Sequence, residues 1–426
     1  MRKLEASLAI MAAALGAWGV GAQPALAQDG DNFDRDRNVS VRDRSKPESA
    51  AVGIRMGGFV LTPELLLAGE YTDNVFGTDT NTEEDLLWHV DPSLTLRSQW
   101  STHALNFALS APSRFYTDFD RANTTDLIGS IDGQLDVYRD FYFHGGVAYG
   151  DRTEPLSSSP TNLPLDEPIG YTTLSGNVGF VKAFNRLRIS GETQYSSFDY
   201  DDGILFNLTP VEQDDRDREV LEAGLRLDYA ISPLTALFVA VGANQRDYDL
   251  DPPDSLVNRD SEGYEALIGA NFDLTRLMRG EVGVGYLSQT YDEPGIGETS
   301  GLALRANLEW YPDELVTVSL GASREVADAG AFGASSYVAN NATFAIDYEW
   351  RRNVVFGFTT GYSLDDYNGI DREDTRSSVE VRADYLINRG AALFAEAGHY
   401  AQTSDGLQFG REYDINRVVI GIKLRR

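Results

Sequence analysis

The stretch GEYTDNVFGTDTNTEEDLLWHVDPSLTL, residues 69–96, crowds Asp73, Asp79, Asn81, Glu83, Glu84 and Asp85 into a few positions. It reads either as a loop that binds a divalent cation or as the solvated tip between two strands. Asp79, Asn81 and Glu83 are spaced two apart, as in an EF-hand. The sixth position, however, is Glu84, where that loop needs a glycine for its sharp turn, and no helical pattern flanks it. The Asp73-Asn74 corner fits the turn reading, because Asx side chains hydrogen-bond their own backbone. No metal is expected here.

What surrounds the stretch decides the matter. From Gly57 onward one pattern recurs. FYFHGGVAYG sets Phe141, Phe143, Val147 and Tyr149 against His144, Gly146 and Ala148. LALRANLEW sets Leu302, Leu304, Ala306, Leu308 and Trp310 against Arg305, Asn307 and Glu309. VEVRADYLI sets Val379, Val381, Ala383 and Tyr385 against Glu380, Arg382 and Asp384. Alternation of period two over such lengths means strands with one apolar and one polar face. The connections alternate as well. Short ones fall near 101, 139, 185, 232, 312, 351 and 388. Long acidic ones fall at 73–84, 153–170, 201–218, 250–261, 293–299, 328–337, 368–374 and 405–411. Short turns at one end and long loops at the other are the layout of an outer-membrane barrel, here an all-β, transmembrane antiparallel β-barrel of about 18 strands. A propeller would give shorter strands in blades of four. Tyr71, Phe76, Tyr116, Phe119, Tyr195, Tyr200, Tyr248, Tyr291, Tyr362, Tyr367 and Tyr400 cluster where strands meet long loops, the place of an interfacial aromatic girdle.

The ends of the chain agree with export. MRK, then the apolar LAIMAAALGAWGVGA, then Ala25-Leu26-Ala27 read as a signal peptide over residues 1–27. Residues 28–56 are polar and aperiodic and read as a disordered periplasmic leader, followed by the barrel over 57–426. Within the leader, Arg35 to Lys46 carries five basic and two acidic residues, on a chain of net charge −30. It is expected to lie in the lumen or to dock on a periplasmic partner. No cysteine is present, which removes disulfides and thiol chemistry. No cofactor and no nucleic-acid partner are expected of so acidic a chain.

Residues 55–426 resemble the putative β-barrel porin 2 family. The marks are Pro63, the Tyr-x-Asp-Asn-Val-Phe corner at Tyr71 to Phe76, Pro92, and the aromatic-x-x-His turn at Trp100 to His103. The resemblance implies a Gram-negative outer-membrane barrel encoded with exopolysaccharide export systems, and hence a secreted polysaccharide and a periplasmic export protein as partners besides the membrane lipids. A general diffusion porin for small solutes is the rival reading. A barrel enzyme or adhesin is a further one, although His89, His103, His144 and His399 sit in no hydrolase motif.

If the apolar face of each strand points outward, the inward charges follow. The expected pore-lining set contains Arg97, Asp132, Asp136, Arg188, Glu192, Glu222, Arg226, Asp228, Glu265, Asp273, Arg305, Glu309, Asp347, Glu380, Arg382, Asp384 and Glu396. Glu64, Glu70, Asp91, Glu349, Arg114, Arg152 and Arg246 share that face. Acidic members outnumber basic ones, and every basic member is arginine, which pairs bidentately with carboxylates and keeps its charge when partly buried.

Overall fold

A computed structural model describes residue 33 and residues 39–157, 165–250, 258–274, 277–293, 297–329, 334 and 336–426. The segment expected to be a signal peptide, most of the expected leader before Val39, and the tips of several long loops lie outside the described residues.

The alternating segments form the expected strands. They are β1 (Phe59–Thr72), β2 (Asp85–Ser98), β3 (Ala104–Ser110, resuming at Ser113–Tyr116), β4 (Thr124–Thr125, then Leu127–Tyr138), β5 (Phe141–Glu154), β6 (Ile169–Phe184), β7 (Leu187–Tyr200), β8 (Arg218–Ser232) and β9 (Thr235–Tyr248). They continue as β10 (Ser261–Leu274), β11 (Met278–Tyr291), β12 (Thr299–Asp313), β13 (Val316–Asp328), β14 (Ser336–Arg351), β15 (Val354–Asn368), β16 (Glu373–Leu386), β17 (Ala391–Asp405) and β18 (Tyr413–Arg425). Each pairs antiparallel with its neighbours in sequence, and β18 pairs with β1 from Glu64↔Arg425 to Thr72↔Arg417. The sheet is therefore a closed barrel of 18 strands, which leaves no free edge.

Register fixes the two faces. Gly69 lies opposite Trp88 and Ile420, and Ala266 opposite Val241 and Tyr286. On this face Trp88, Val178, Ile268, Leu302, Val381 and Ile420 are all exposed. So continuous an exposed apolar band suits hydrocarbon, not water.

β3 is interrupted at Ala111-Pro112. Proline cannot donate to the ladder, so pairing lapses there. The Ala111 N–H turns instead to the Pro92 carbonyl (3.1 Å), and the Pro112 carbonyl accepts from Asp126 (3.0 Å).

Residues 39–56 of the expected leader are among those described. Ile54–Met56 forms a short strand that pairs back on β1. Val41 and Ser49 are buried at the short-turn end of the barrel. Residues 41–49 show no periodicity because they are held by charges and carbonyl contacts, not by a ladder.

Candidate functional site

The candidate site is the inner wall together with its long-loop mouth. The alternation that puts Leu225 and Leu227 outside puts Arg226 and Asp228 inside. Arg226 donates to Asp228 (2.8 Å) on its own strand and to both carboxylate oxygens of Glu281 on β11 (2.7 and 2.8 Å). Its guanidinium carbon lies 4.0 Å from the centroid of the Phe238 ring. Phe238 in turn lies against Gly269 and Gly283, and a Cβ at Gly269 would collide with the ring. Asp228 has no exposed surface and also faces Arg188 at 3.5 Å.

The other expected residues form similar small groups. Arg382 holds Asp384 (2.9 Å) and Glu396 (3.2 Å), with its guanidinium 4.9 Å from the Phe394 ring. Arg305 faces Glu265 at 3.5 Å, Arg279 holds Glu309 at 2.6 Å, and Arg114 holds Asp91 at 2.5 Å. Glu192 accepts from Asn177 (2.8 Å) beside His144, Glu380 accepts from the Tyr400 hydroxyl (2.6 Å), and Asp132 accepts from Asn106 (2.7 Å). Arg97 lies opposite Val60 and Asn106, Glu222 opposite Gln194 and Asn244, and the buried Asp273 opposite Arg279. Asp136 plays a different part. It accepts the His103 backbone N–H (2.7 Å) while its own N–H donates to His103 Nδ1 (3.0 Å), so this pair ties the β2–β3 turn to the end of β4.

Several members of the wall were missed. Arg279 and Glu281 sit in RGEVGVGYL, where Gly280, Gly283 and Gly285 erase the apolar stripe that would reveal the inner face. Lys423, at 3.3 Å from Glu64, and Arg417, at 3.7 Å from Glu70, lie on β18 opposite the legible Val418-Ile420-Ile422 stripe. The inward cations are thus not all arginine. Arg218, Arg376 and Arg425 share that face, and so do Asp365 and Asp374.

The long-loop mouth departs from the aromatic girdle read from sequence. Tyr71, Tyr195 and Tyr362 face outward and are exposed. Tyr200, Tyr248, Tyr291 and Tyr400 are buried, on the inner face. Most of these inner rings carry a guanidinium: Arg216 lies 3.9 Å from Tyr200, Arg417 4.8 Å from Tyr400, and Arg259 5.9 Å from Tyr248. Arg372 likewise lies 4.4 Å from Tyr367. Tyr171 and Tyr200 stack at 5.1 Å with an interplanar angle of 18°.

Around that stack the loops pack against one another. Ala122, Leu156, Leu165 and Ile169 form a buried cluster, with Phe76, Phe119 and Tyr116 against it. Phe76 makes edge-on contacts with Phe119 (5.1 Å) and Phe206 (5.2 Å). Arg411 donates to the carbonyls of Phe76 (3.1 Å) and Leu156, and burial holds its guanidinium below its ordinary pKa.

The stretch that opened the sequence analysis is the anchor of this cap. Asn74, 1% exposed, donates to the carbonyls of Thr78 (2.7 Å) and Asp414 (3.0 Å) and accepts from the Thr78 N–H (3.1 Å). Asp73 accepts from both the backbone and the side-chain nitrogen of Asn416 (2.7 Å each). The corner fastens the first loop to β18, while Asp79 and Glu83 stay exposed.

Residues 46–426 match the model of the family described as putative beta-barrel porin 2. No protein with a curated description matches. Among solved structures, the outer membrane protein OpdK of Pseudomonas aeruginosa is similar at 11% identity, over 86% of this chain and 99% of that one, with a TM-score of 0.44. The siderophore receptor PirA of Acinetobacter baumannii is similar at 8% identity, over 90% and 81%, with a TM-score of 0.47. OccK2 (OpdF) of P. aeruginosa, solved with glucuronate, is similar at 11% identity, over 86% and 98%, with a TM-score of 0.45. With its closed wall of 18 strands and a family match that spans the whole of it, the chain belongs to the putative β-barrel porin 2 family and is a porin-like barrel of the outer membrane.

Proposed function

We propose that the barrel is the outer-membrane pore through which an exopolysaccharide leaves the cell, and that the polymer is neutral or weakly charged. One observation carries the reading. The inward carboxylates are met locally by guanidiniums, as in Arg226 with Asp228 and Glu281, or Arg382 with Asp384 and Glu396. A wall so paired offers hydroxyl-rich chains many hydrogen-bonding groups with little net field. A strongly charged polymer would instead meet alternating attraction and repulsion. The pore lining is the inward set named above, with Glu281, Arg279 and Lys423 added. The remaining acidic excess should make the channel weakly cation-selective, most so at low salt, where the Debye length reaches about 30 Å at 0.01 M.

The test is twofold. A strain lacking the chain should lose extracellular polysaccharide and regain it with the wild-type chain. In planar bilayers the purified protein should give a cation-selective reversal potential that fades with salt. Unchanged secretion together with slower entry of small solutes would replace export with general diffusion. An anion-selective sign would remove the preference for an uncharged cargo.

A further inference from the structure

At the short-turn end the inner wall holds a segment of the chain's own leader. The Val41 side chain is fully buried, and its N–H donates to Thr317 Oγ1 at 2.9 Å. Arg42 Nε donates to Asp347 at 2.6 Å, and Nη1 reaches Asp384 at 3.3 Å. Arg44 lies 3.6 Å from Glu349 and donates to the Glu314 carbonyl, and Lys46 lies 3.7 Å from the same Glu349 carboxylate.

The wall is shaped to take this segment. Asp347 and Glu349 are two apart on β14, so both point inward. Between their strand and Asp384 on β16 runs β15, which presents Gly357. A Cβ there would collide with Arg42 Nη2. The segment is itself preshaped. Ser40 Oγ donates to Asp43 (2.9 Å) and accepts the Asp43 N–H (3.1 Å), and the Arg44 N–H bonds the Ser40 carbonyl (3.0 Å), which fans Arg42 and Arg44 apart. Beyond it, the carbonyls of Pro47 and Ser49 accept from Arg389 (3.1 Å) and Arg425 (2.7 Å).

We propose that β13–β16 form, at their short-turn ends, a docking site for a basic peptide, and that the leader segment Val41–Lys46 is its resident ligand, a tethered plug that narrows this mouth until it is displaced. The plugging half of the statement rests on the pore reading; the docking half does not. The contacts are ionic and partly exposed, so they weaken with salt and exchange for other cations. A hydrophobic plug would do neither.

The test uses the full-length chain. Because it lacks cysteine, Ser45→Cys gives one attachment point for a spin label on an exposed residue of the segment. The label should be immobilised in the otherwise wild-type protein and become mobile with Arg42→Glu, a shift of roughly tenfold in the docked-to-free ratio, or ~1.4 kcal/mol. Asp384→Asn should shift it part of the way. Pairing Arg42→Glu with Asp347→Arg should restore immobilisation, which separates lost docking from misfolding. In planar bilayers Arg42→Glu should raise single-channel conductance, and the paired exchange should lower it again. A label equally mobile in wild type and Arg42→Glu would overturn the docking site. Label release with unchanged conductance in an active channel would overturn the plug. Label release in a barrel that passes no current in any variant would uphold the docking site and take down the pore reading instead.

Discussion

The guanidinium of Arg226 lies over the Phe238 ring, 4.0 Å from its centroid, while its fork grips Glu281 three strands away, so one side chain joins an aromatic platform to a carboxylate across the inner wall. Arg226→Leu would leave Asp228, which has no exposed surface, with the more distant Arg188. A cost of about 2 kcal/mol is expected, below the value for a fully buried pair because Arg226 keeps some access to water. Arg226→Lys should recover little, since lysine has neither the plane nor the fork. Urea unfolding of the reconstituted barrel, followed by tryptophan fluorescence, measures it. Equal stability of wild type and Arg226→Leu would mean that the wall stands without this group.

Neighbouring residues on β18 should respond oppositely to the same change. Ile420 faces lipid, so Ile420→Arg should cost ~2–4 kcal/mol if it lies near the midplane. Val419 faces inward between Glu70 and Glu396 in the register, so an arginine there finds carboxylates on both sides. Val419→Arg should fold at near wild-type yield. Heat-modifiable migration on gels reads both, and the reverse order would mean that the faces are misassigned.

Asn74→Ala removes the side chain that ties the first loop to itself and to the Asp414 carbonyl. Leaving buried groups unpaired costs roughly 1–3 kcal/mol. Because the loss is local, the cap should loosen while the barrel persists. Limited proteolysis of whole cells should cut within 73–84 in the variant and spare the wild type. An uncut variant would mean that the Phe76 contacts hold the loop unaided.

Asp217, in the connection before β8, has its pKa pushed up to about 6 from 3.8. Burial is the main cause, Asp199, Asp214 and Asp249 add to it, and the Tyr200 N–H opposes. The folded state therefore binds a proton that the unfolded state releases between about 4 and 6. Its contribution to stability is present at low pH and lost as pH rises through 6. Asp217→Asn keeps an acceptor for the Tyr200 N–H and should hold that contact equally at pH 5 and pH 7.5. Hydrogen exchange at Tyr200 should rise with pH faster than the intrinsic rate in wild type alone. Identical pH profiles would exclude Asp217 as the group responsible.

Much of the barrel was legible because a strand with lipid on one side must alternate. Leu302 to Trp310 and Val379 to Tyr385 could be assigned to faces from sequence for that reason. Legibility failed where side chains stop reporting the face. The glycines around Glu281 carry no polarity, so its strand gave no stripe. The tyrosines failed differently. Placing Tyr200, Tyr248 and Tyr400 in a girdle used their height along the strand and ignored their parity, which matches that of Arg188, Arg246 and Glu396. In the leader the basic run of Arg35 to Lys46 marked the segment, but not where on the wall it sits, because three charges and a buried valine leave no period in the sequence.

The pairing of β18 with β1 also dictates the order of assembly. Those two strands come from opposite ends of the chain, and until the last has been made the sheet has two open edges. Each edge is a row of unpaired backbone groups that could recruit another chain. Closing the ring spends the loop entropy of nearly the whole polypeptide in one step, which makes it late and slow. A chain stopped before Tyr413 would not give a narrower barrel of 17 strands, because neighbours in an antiparallel ring must alternate in direction. It would give an open, sticky sheet. Arg425, which reaches back to the Ser49 carbonyl, fastens that seam to the leader once it shuts.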